Sequence, residues 1–129
     1  MAVHTGSEGT VKVGSSVIAE LKSYTIEESG DTIETTALGD TSRTYVAGLK
    51  TFTGTIECYW DETDSSGQGA MTVGSQITIN FYPEGDGAGD TYYTGSAIIT
   101  GRSVTGTTDG TVDRSFTIQG TGALSETTV

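Results

Sequence analysis

The stretch Thr51–Asp61, TFTGTIECYWD, decides the fold, because apolar and polar residues alternate along it without a break. One side carries Phe52, Gly54, Ile56, Cys58 and Trp60, and the other carries Thr53, Thr55, Glu57, Tyr59 and Asp61. Successive side chains of a β-strand point to opposite faces, so the pattern predicts a strand with one buried and one wetted face. Strands of this kind usually belong to antiparallel sheets. We therefore expect the rest of the chain to supply partner strands.

The amino-acid composition predicts a single β domain with a small core. Among the 129 residues there are 25 Thr and 19 Gly, and the one proline is Pro83. Thr suits half-buried strands, and Gly suits turns and bulges. Leu, Ile, Val and Phe make up only 25 residues and the formal charge is −11, values close to those of disordered chains. Because the strands alternate regularly, we interpret the sparse core as one that partner subunits complete.

Further alternating segments predict an antiparallel β-sandwich or partly closed barrel of about seven strands. These strands span residues 10–13, 17–28, 32–37, 51–61, 76–82, 91–104 and 112–119, with a bulge near Lys22 and Ser23, a hairpin turn at Ser29–Asp31 and one short flanking helix from Asp64 or Ser65 to Met71. The expected core comprises Phe52, Ile56, Cys58, Trp60, Ile77, Ile79, Phe81, Phe116 and Ile118. Residues 1–8 are expected to form a flexible arm, 9–122 the β domain and 123–129 a loose tail.

The titratable residues argue against catalysis, and no cofactor is expected. His4 is the sole histidine and lies in the predicted arm, so a Ser/His/Asp arrangement is not expected. Cys58 is the sole cysteine and lies on the apolar side of its strand, which indicates a buried structural thiol. The acidic clusters Asp61–Asp64 and Glu84–Asp90 do not match the calcium loop of an EF-hand, so no metal is expected.

Charge and hydropathy exclude other classes of partner. There are 17 acidic residues against six basic ones, and the basic residues form no cluster that could grip a nucleic-acid backbone tightly. No apolar run approaches the roughly 20 residues of a membrane span, so no membrane partner is expected. The amino terminus does not have the pattern of a secretory signal, and we expect the protein to be made in the cytoplasm.

Two segments stand out as candidate surfaces. From Leu38 to Lys50 the alternation disappears, and we expect a long contact loop. Its candidate contact residues are Asp40, Arg43, Tyr45, Val46, Leu49 and Lys50. The preceding hairpin carries Glu27, Glu28, Asp31 and Glu34 with few bases nearby, which indicates either a solvated loop end or a negative functional surface.

Three segments together resemble a known family. YTIEESGDTIETTALGD (24–40), GLKTFTGTIE (48–57) and RSFTIQGTG (114–122) follow one another in the order and spacing of the tail tube (major tail) proteins of long-tailed bacteriophages. The resemblance covers roughly residues 9–122. It implies a tail-tube β domain, related in fold to the tube proteins of type VI secretion, and a structural protein rather than an enzyme.

The resemblance also implies partners and a location. Six copies would form a ring, and rings would stack into a hollow virion tail tube that DNA passes through, after synthesis in the cytoplasm of the host bacterium. Tape measure and terminator or initiator proteins would be further partners. Six copies at −11 each would carry −66, and a negative bore repels a passing polyanion. Candidates for the bore are Glu27, Glu28, Glu34 and Glu57, and the Leu38–Lys50 loop would contact the next ring.

The alternative reading is a monomeric binding or adhesion module. A carbohydrate-binding sandwich would need an aromatic platform, for which the chain offers Tyr24, Tyr59, Trp60, Tyr82, Tyr92 and Tyr93. Assembly into rings or tubes would favour the tail-tube interpretation. A stable monomer that binds glycans would favour the carbohydrate-binding module.

Overall fold

A computed structural model describes residues 3–129, which form seven strands and two short 3₁₀ turns. The strands are β1 (Thr10–Val13), β2 (Ser16–Val17), β3 (Leu21–Glu34), β4 (Tyr45–Tyr59), β5 (Gln76–Tyr82), β6 (Thr91–Thr105) and β7 (Asp113–Thr128). The 3₁₀ turns are Gly6–Glu8 and Gln68–Ala70. The predicted all-β class is confirmed.

All seven strands belong to one antiparallel sheet with the order β2-β1-β5-β6-β7-β4-β3. The sheet curls without closing, so that its two ends approach each other around the core. Tyr24 of β3 packs against Phe81 of β5 with ring centroids 5.4 Å apart. Irregular pairing occurs between Leu21 and Ser23, as predicted from the sequence, and also between Ile99 and Gly101. Such bulges bend a strand and increase its local twist.

The alternation along β4 produces the expected two faces. Phe52, Ile56 and Cys58 are buried, whereas Thr53 and Glu57 are exposed. The fully buried core also includes Val11, Ile18, Met71, Ile79, Phe81, Ala97, Ile99, Phe116 and Ile118, and Ile77 is partly buried against it. The core is therefore a single cluster inside the curled sheet.

The prediction that Trp60 belongs to the core is wrong. Strand β4 ends at Tyr59, and Trp60 is 43% exposed. Its backbone N–H still donates a 2.9 Å hydrogen bond to the Val112 carbonyl oxygen. Trp60 continues the apolar alternation of β4 but lies beyond the end of the core. No other layer of the described residues covers it.

The Phe52 ring packs directly on the backbone of β6 and β7. A Cβ added to Gly95 would lie 2.7 Å from the ring, and one added to Gly120 would lie closer still. Both positions are glycine because a side chain there would occupy the space of the ring. Here the close approach of an aromatic group, rather than an unusual backbone angle, explains the two glycines.

The hairpin turn predicted at Ser29–Asp31 is wrong. Strand β3 continues through this segment, with Gly30 paired to Lys50, and the register shifts between Gly30 and Thr32. Gly48 and Leu49 of β4 lie opposite Asp31 alone, so β4 carries a bulge in a long hairpin, whose connecting segment is residues 35–44. The predicted Leu38–Lys50 loop is accordingly too long, because Tyr45–Lys50 is strand.

The helix predicted from Asp64 or Ser65 to Met71 is also wrong, and only the Gln68–Ala70 turn forms. Side-chain hydrogen bonds hold this segment instead. The Asp64 carboxylate accepts from the backbone N–H groups of Ala19, Gly67 and Gln68. Gln68 is fully buried, and its amide donates to the carbonyl oxygens of Ala19 and Tyr59 at 2.9 Å each. Gly67 and Gly69 disfavour a longer helix.

We expect Gln68→Leu to lower the free energy of unfolding by about 2 to 3 kcal/mol, because it removes the buried donor of two part-buried hydrogen bonds to the carbonyl oxygens of Ala19 and Tyr59. The exposed Gln76→Leu is the matched control, and its effect should stay within about 0.5 kcal/mol. Urea denaturation of both variants measures the difference. Equal midpoints for the two variants would contradict this role of Gln68.

Both termini are more ordered than expected where the structure describes them. The tail expected to be loose is the end of β7, where Thr128 pairs with Thr91, and the N–H of Val129 donates to Asp90 at 2.8 Å. Residues 1–2 of the predicted flexible arm lie outside the described residues. In the described part of residues 1–8, His4 Nδ1 lies 2.7 Å from Glu8 and His4 Nε2 lies 3.0 Å from Glu84.

Candidate assembly surface

The outward side of strands β3, β4, β7 and β6 forms one continuous polar surface, which we call the hydroxyl face. Cross-strand pairs place Thr25 beside Thr55, Thr55 beside Thr117, and Ser115 beside Ser103. The face comprises Ser23, Thr25, Thr53, Thr55, Ser103, Ser115 and Thr117, together with the acidic residues described next. Short hydroxyl side chains make this surface largely polar, although Tyr59 and Ile98, which pair with Asp113 and Gln119, lie on the same side.

Two of the four predicted bore residues lie on the side of the hydroxyl face. Glu27 pairs with Thr53, and Glu57 accepts a 2.9 Å hydrogen bond from the Ser23 hydroxyl. Glu28 pairs with the buried Phe52 and so lies on the opposite side of the sheet, and Glu34, six positions later in the same strand, lies on that side as well. The four carboxylates are all exposed, but they do not share one face.

At the end of the hydroxyl face, a shallow groove of about 380 Å³ is lined by Lys22, Glu57, Ser103, Thr105, Asp113, Arg114 and Ser115. The Lys22 ammonium lies 3.7 Å from the Asp113 carboxylate and 5.6 Å from the centre of the Tyr59 ring. Register places Arg102 opposite Phe116 and Arg114 opposite Cys58, which is the core side of the sheet. The hydroxyl face is therefore negative overall.

The outer half of the β3–β4 hairpin projects from the body, and we call residues 28–52 the arm. Within the described residues, β7 pairs with β4 only from Thr53 onward, so the arm strands have only each other. The arm exposes five large apolar residues, which are Ile33, Leu38, Tyr45, Val46 and Leu49. Leu49 is 86% exposed. A two-stranded hairpin is marginally stable in water, so this one needs a further surface to pack on.

The predicted contact residues all lie in the arm. Tyr45, Val46, Leu49 and Lys50 are in β4, whereas Asp40 and Arg43 are in the connecting segment. The Asp40 carboxylate accepts a 2.7 Å hydrogen bond from the N–H of Ala37, which fixes the turn. These residues are all exposed. The sequence predicted an exposed segment here, but it did not predict that Tyr45–Lys50 is strand. The contact role of these residues stays a prediction.

Two free edges flank the hydroxyl face. Among residues 3–129, β3 has a partner strand on one side only, which leaves the backbone groups of its other side unpaired. On the far side of the face, β5 pairs with β6 only up to Ile98, so Gly101–Thr105 pairs with β7 alone in the described chain. Unpaired edges of this kind are templates for pairing with another chain. Strand β6 of one copy would lie antiparallel to β3 of the next.

The described residues contain no arrangement that suggests chemistry. No group of three or more metal-ligating side chains occurs among residues 3–129. No helix of that part of the chain is long and apolar enough to span a membrane. Burial raises the pKa of the Cys58 thiol to about 11, so the thiol stays protonated at neutral pH. The Glu8 carboxylate holds the pKa of exposed His4 above its ordinary value.

The six aromatic residues proposed for a sugar platform do not form one surface. Tyr82 and Tyr92 stack with ring centroids 4.7 Å apart, and Tyr24 packs on the core residue Phe81. Tyr59 and Trp60 lie at the end of β4, beside Lys22 and Val112. A single carbohydrate platform made from all six is therefore not present in this fold.

Comparison with known proteins relates the fold to tail tubes. No family model matches the sequence, and no curated protein matches it. A structure of the tail of an empty gene transfer agent particle with C6 symmetry gives a TM-score of 0.79 at 20% identity, covering 97% of this chain and 99% of that chain. The SPP1 tail tube gives 0.72 at 13% identity, covering 98% and 80%. The anti-feeding prophage cap, which terminates a tube, gives 0.74 at 14% identity, covering 100% and 93%. The chain therefore has the tail-tube fold.

Proposed function

We propose that this chain is a structural protein that assembles into the hollow tail tube of a virion. The observation that carries the proposal is the hydroxyl face with a free edge on each side, in a chain with the tail-tube fold. Pairing of β3 in one copy with Gly101–Thr105 of the next continues the antiparallel order of the sheet. Each copy then contributes four strands to a closed wall, and the free edges are removed.

A ring of six copies is the closed form that we propose. The C6 symmetry of the gene transfer agent tail supports this number, because its fold matches along nearly the whole of both chains. Rings then stack into a tube through the arms, whose contact residues include Asp40, Arg43, Tyr45, Val46, Leu49 and Lys50. A tape measure protein inside the tube and a terminator or initiator protein at its ends would be further partners.

In this arrangement the hydroxyl face lines the bore that DNA passes through. Glu27 and Glu57 then face the channel, and their charges repel DNA phosphates so that the polymer does not adhere. The hydroxyl groups keep the wall hydrated. Glu28 and Glu34 are not assigned to the bore, because register places both on the other side of β3.

Electron microscopy and size-exclusion chromatography over a range of concentrations test the assembly. We expect annular or tubular particles with sixfold symmetry and a central channel. A monomer that stays single at every concentration would overturn the proposal.

Charge reversal tests the bore. Tubes with Glu27→Lys and Glu57→Lys are expected to retain double-stranded DNA at low salt in a nuclease-protected form, whereas wild-type tubes are not. The control reverses two exposed acids away from the hydroxyl face, Glu62 and Asp109, and so has the same net charge. Equal protection of DNA by the control would contradict the assignment of the bore.

A further inference from the structure

Two patches of exposed apolar residues lie at opposite ends of β4. One patch is on the arm, around Leu49. The other, which we call the turn-end patch, comprises Trp60, Val104 and Val112, which are 43%, 54% and 41% exposed. Trp60 is eleven positions after Leu49, a distance of about 36 Å at the usual rise per residue. The two patches of one copy therefore cannot meet.

Register places the turn-end patch on the core side of the sheet, just beyond the last core layer. Val104 pairs with Arg114, which pairs with Cys58, and Trp60 is two positions after Cys58 in sequence. The N–H of Trp60 donates to the carbonyl oxygen of Val112, which holds the two residues together. The turn-end patch therefore continues the core beyond its last buried layer and is exposed to solvent.

Unpaired charges of opposite sign occur at the two ends, although Arg43 and Lys50 also lie in the arm and Asp61 and Asp113 adjoin the turn-end patch. Arg102 and Arg114 stand beside the turn-end patch and form no ion pair within residues 3–129. The arm carries Glu28, Asp31 and Glu34, which are exposed and likewise form no ion pair within that part of the chain. Contact between the arm and the turn-end patch would bring unpaired cations to unpaired carboxylates while it buries apolar area on both sides.

We propose that the arm of one copy covers the turn-end patch of a second copy in the next ring. The inference rests on the proposed tube and assigns the surface that receives the arm. The contact is head-to-tail, so each copy keeps one arm and one patch available, and addition can continue without limit along one axis. Contact between two arms, by contrast, would close a pair and stop growth.

The fluorescence of Trp60 reports the contact directly, because Trp60 is the sole tryptophan. When rings stack, we expect its emission to shift to shorter wavelength and its quenching by acrylamide to fall severalfold. Leu49→Asp and Val112→Asp should each leave rings intact but prevent stacking. Val73→Asp, at an exposed apolar residue outside both the arm and the turn-end patch, is the control for added charge.

Crosslinking tests the pairing between copies. A Leu49→Cys protein mixed with a Val112→Cys protein should give a dimer with a short bismaleimide, and neither protein alone should do so. Cys58 does not compete, because it is fully buried and its pKa is raised to about 11. Val73→Cys in place of Leu49→Cys is the matched control, because Val73 is an exposed apolar residue outside the arm.

The outcomes separate the inference from the proposed function. If tubes form while Trp60 stays accessible and the mixture gives no crosslink, the arm binds elsewhere and this inference is overturned, whereas the tube stands. If neither rings nor tubes form, both are overturned. Stacking that is lost in both Asp variants, together with the specific crosslink, supports the inference.

Discussion

Gly120→Ala is expected to lower the free energy of unfolding by about 3 kcal/mol, the upper end of the usual cost of overpacking. The added Cβ would occupy the space of the Phe52 ring, which packs on the backbone of Gly120 and Gly95. Phe52 is almost fully buried between neighbouring strands, so its ring has no solvent to move into. The strain must therefore move the backbone of β7 or force the ring from its rotamer.

A double-mutant cycle measured by urea denaturation checks the cause. Phe52→Ala alone should cost about 3 to 5 kcal/mol, because it removes the largest side chain at this site. In that background Gly120→Ala should cost less than about 1 kcal/mol, since the obstructing ring is gone. Gly101→Ala is the control, because its Cβ would meet Thr117 at an ordinary 3.6 Å. Additive effects of the two core changes would contradict the explanation.

We expect a proline in β3 to abolish ring formation while the subunit stays folded. This result is expected at only one of two nearby positions, Thr25 or Glu28. Backbone N–H groups alternate between the two edges of a strand, so Thr25→Pro and Glu28→Pro remove donors on opposite edges. One variant loses its hydrogen bond to β4 and should unfold at lower denaturant. The other loses only a donor on the free edge, so it should keep the wild-type midpoint but stay monomeric.

The measurement pairs denaturation with particle counts from electron microscopy. Thr25→Val and Glu28→Gln are the controls, because they change the same side chains and keep the N–H groups. A folded proline variant that still forms rings at the wild-type concentration would show that β3 does not pair with a neighbouring subunit.

The sequence predicted those features that depend on local alternation. The two faces of β4, the antiparallel class and the bulge near Lys22 follow from period two and its interruption, which a single strand displays by itself. The continuation of β3 through Gly30 was missed because Ser29–Asp31 has the composition of a turn. Only the pairing of Gly30 with Lys50 shows that the strand continues, and the bulge lies opposite, at Gly48 and Leu49 of β4.

Other features depend on the ends of elements, which a sequence marks poorly. Trp60 continues the apolar pattern of β4, but the core ends one layer earlier, so the residue is exposed. The polar end of β7 has little apolar alternation and forms a strand because β6 offers it a partner along Thr91–Thr94. Whether a strand edge is free depends on how all the strands of the sheet pair. The sequence pattern within β3 or β6 alone therefore could not predict it.

The two irregularities at Leu21/Ser23 and Ile99/Gly101 have a consequence for size. Each lies in one of the two strands that would join neighbouring subunits, close to where they would join. The bend at each place sets the angle at which one subunit meets the next, and the sum of such angles must complete a full turn. In the proposed tube, these single-residue insertions in each subunit therefore set the circumference. They also set the width of the channel.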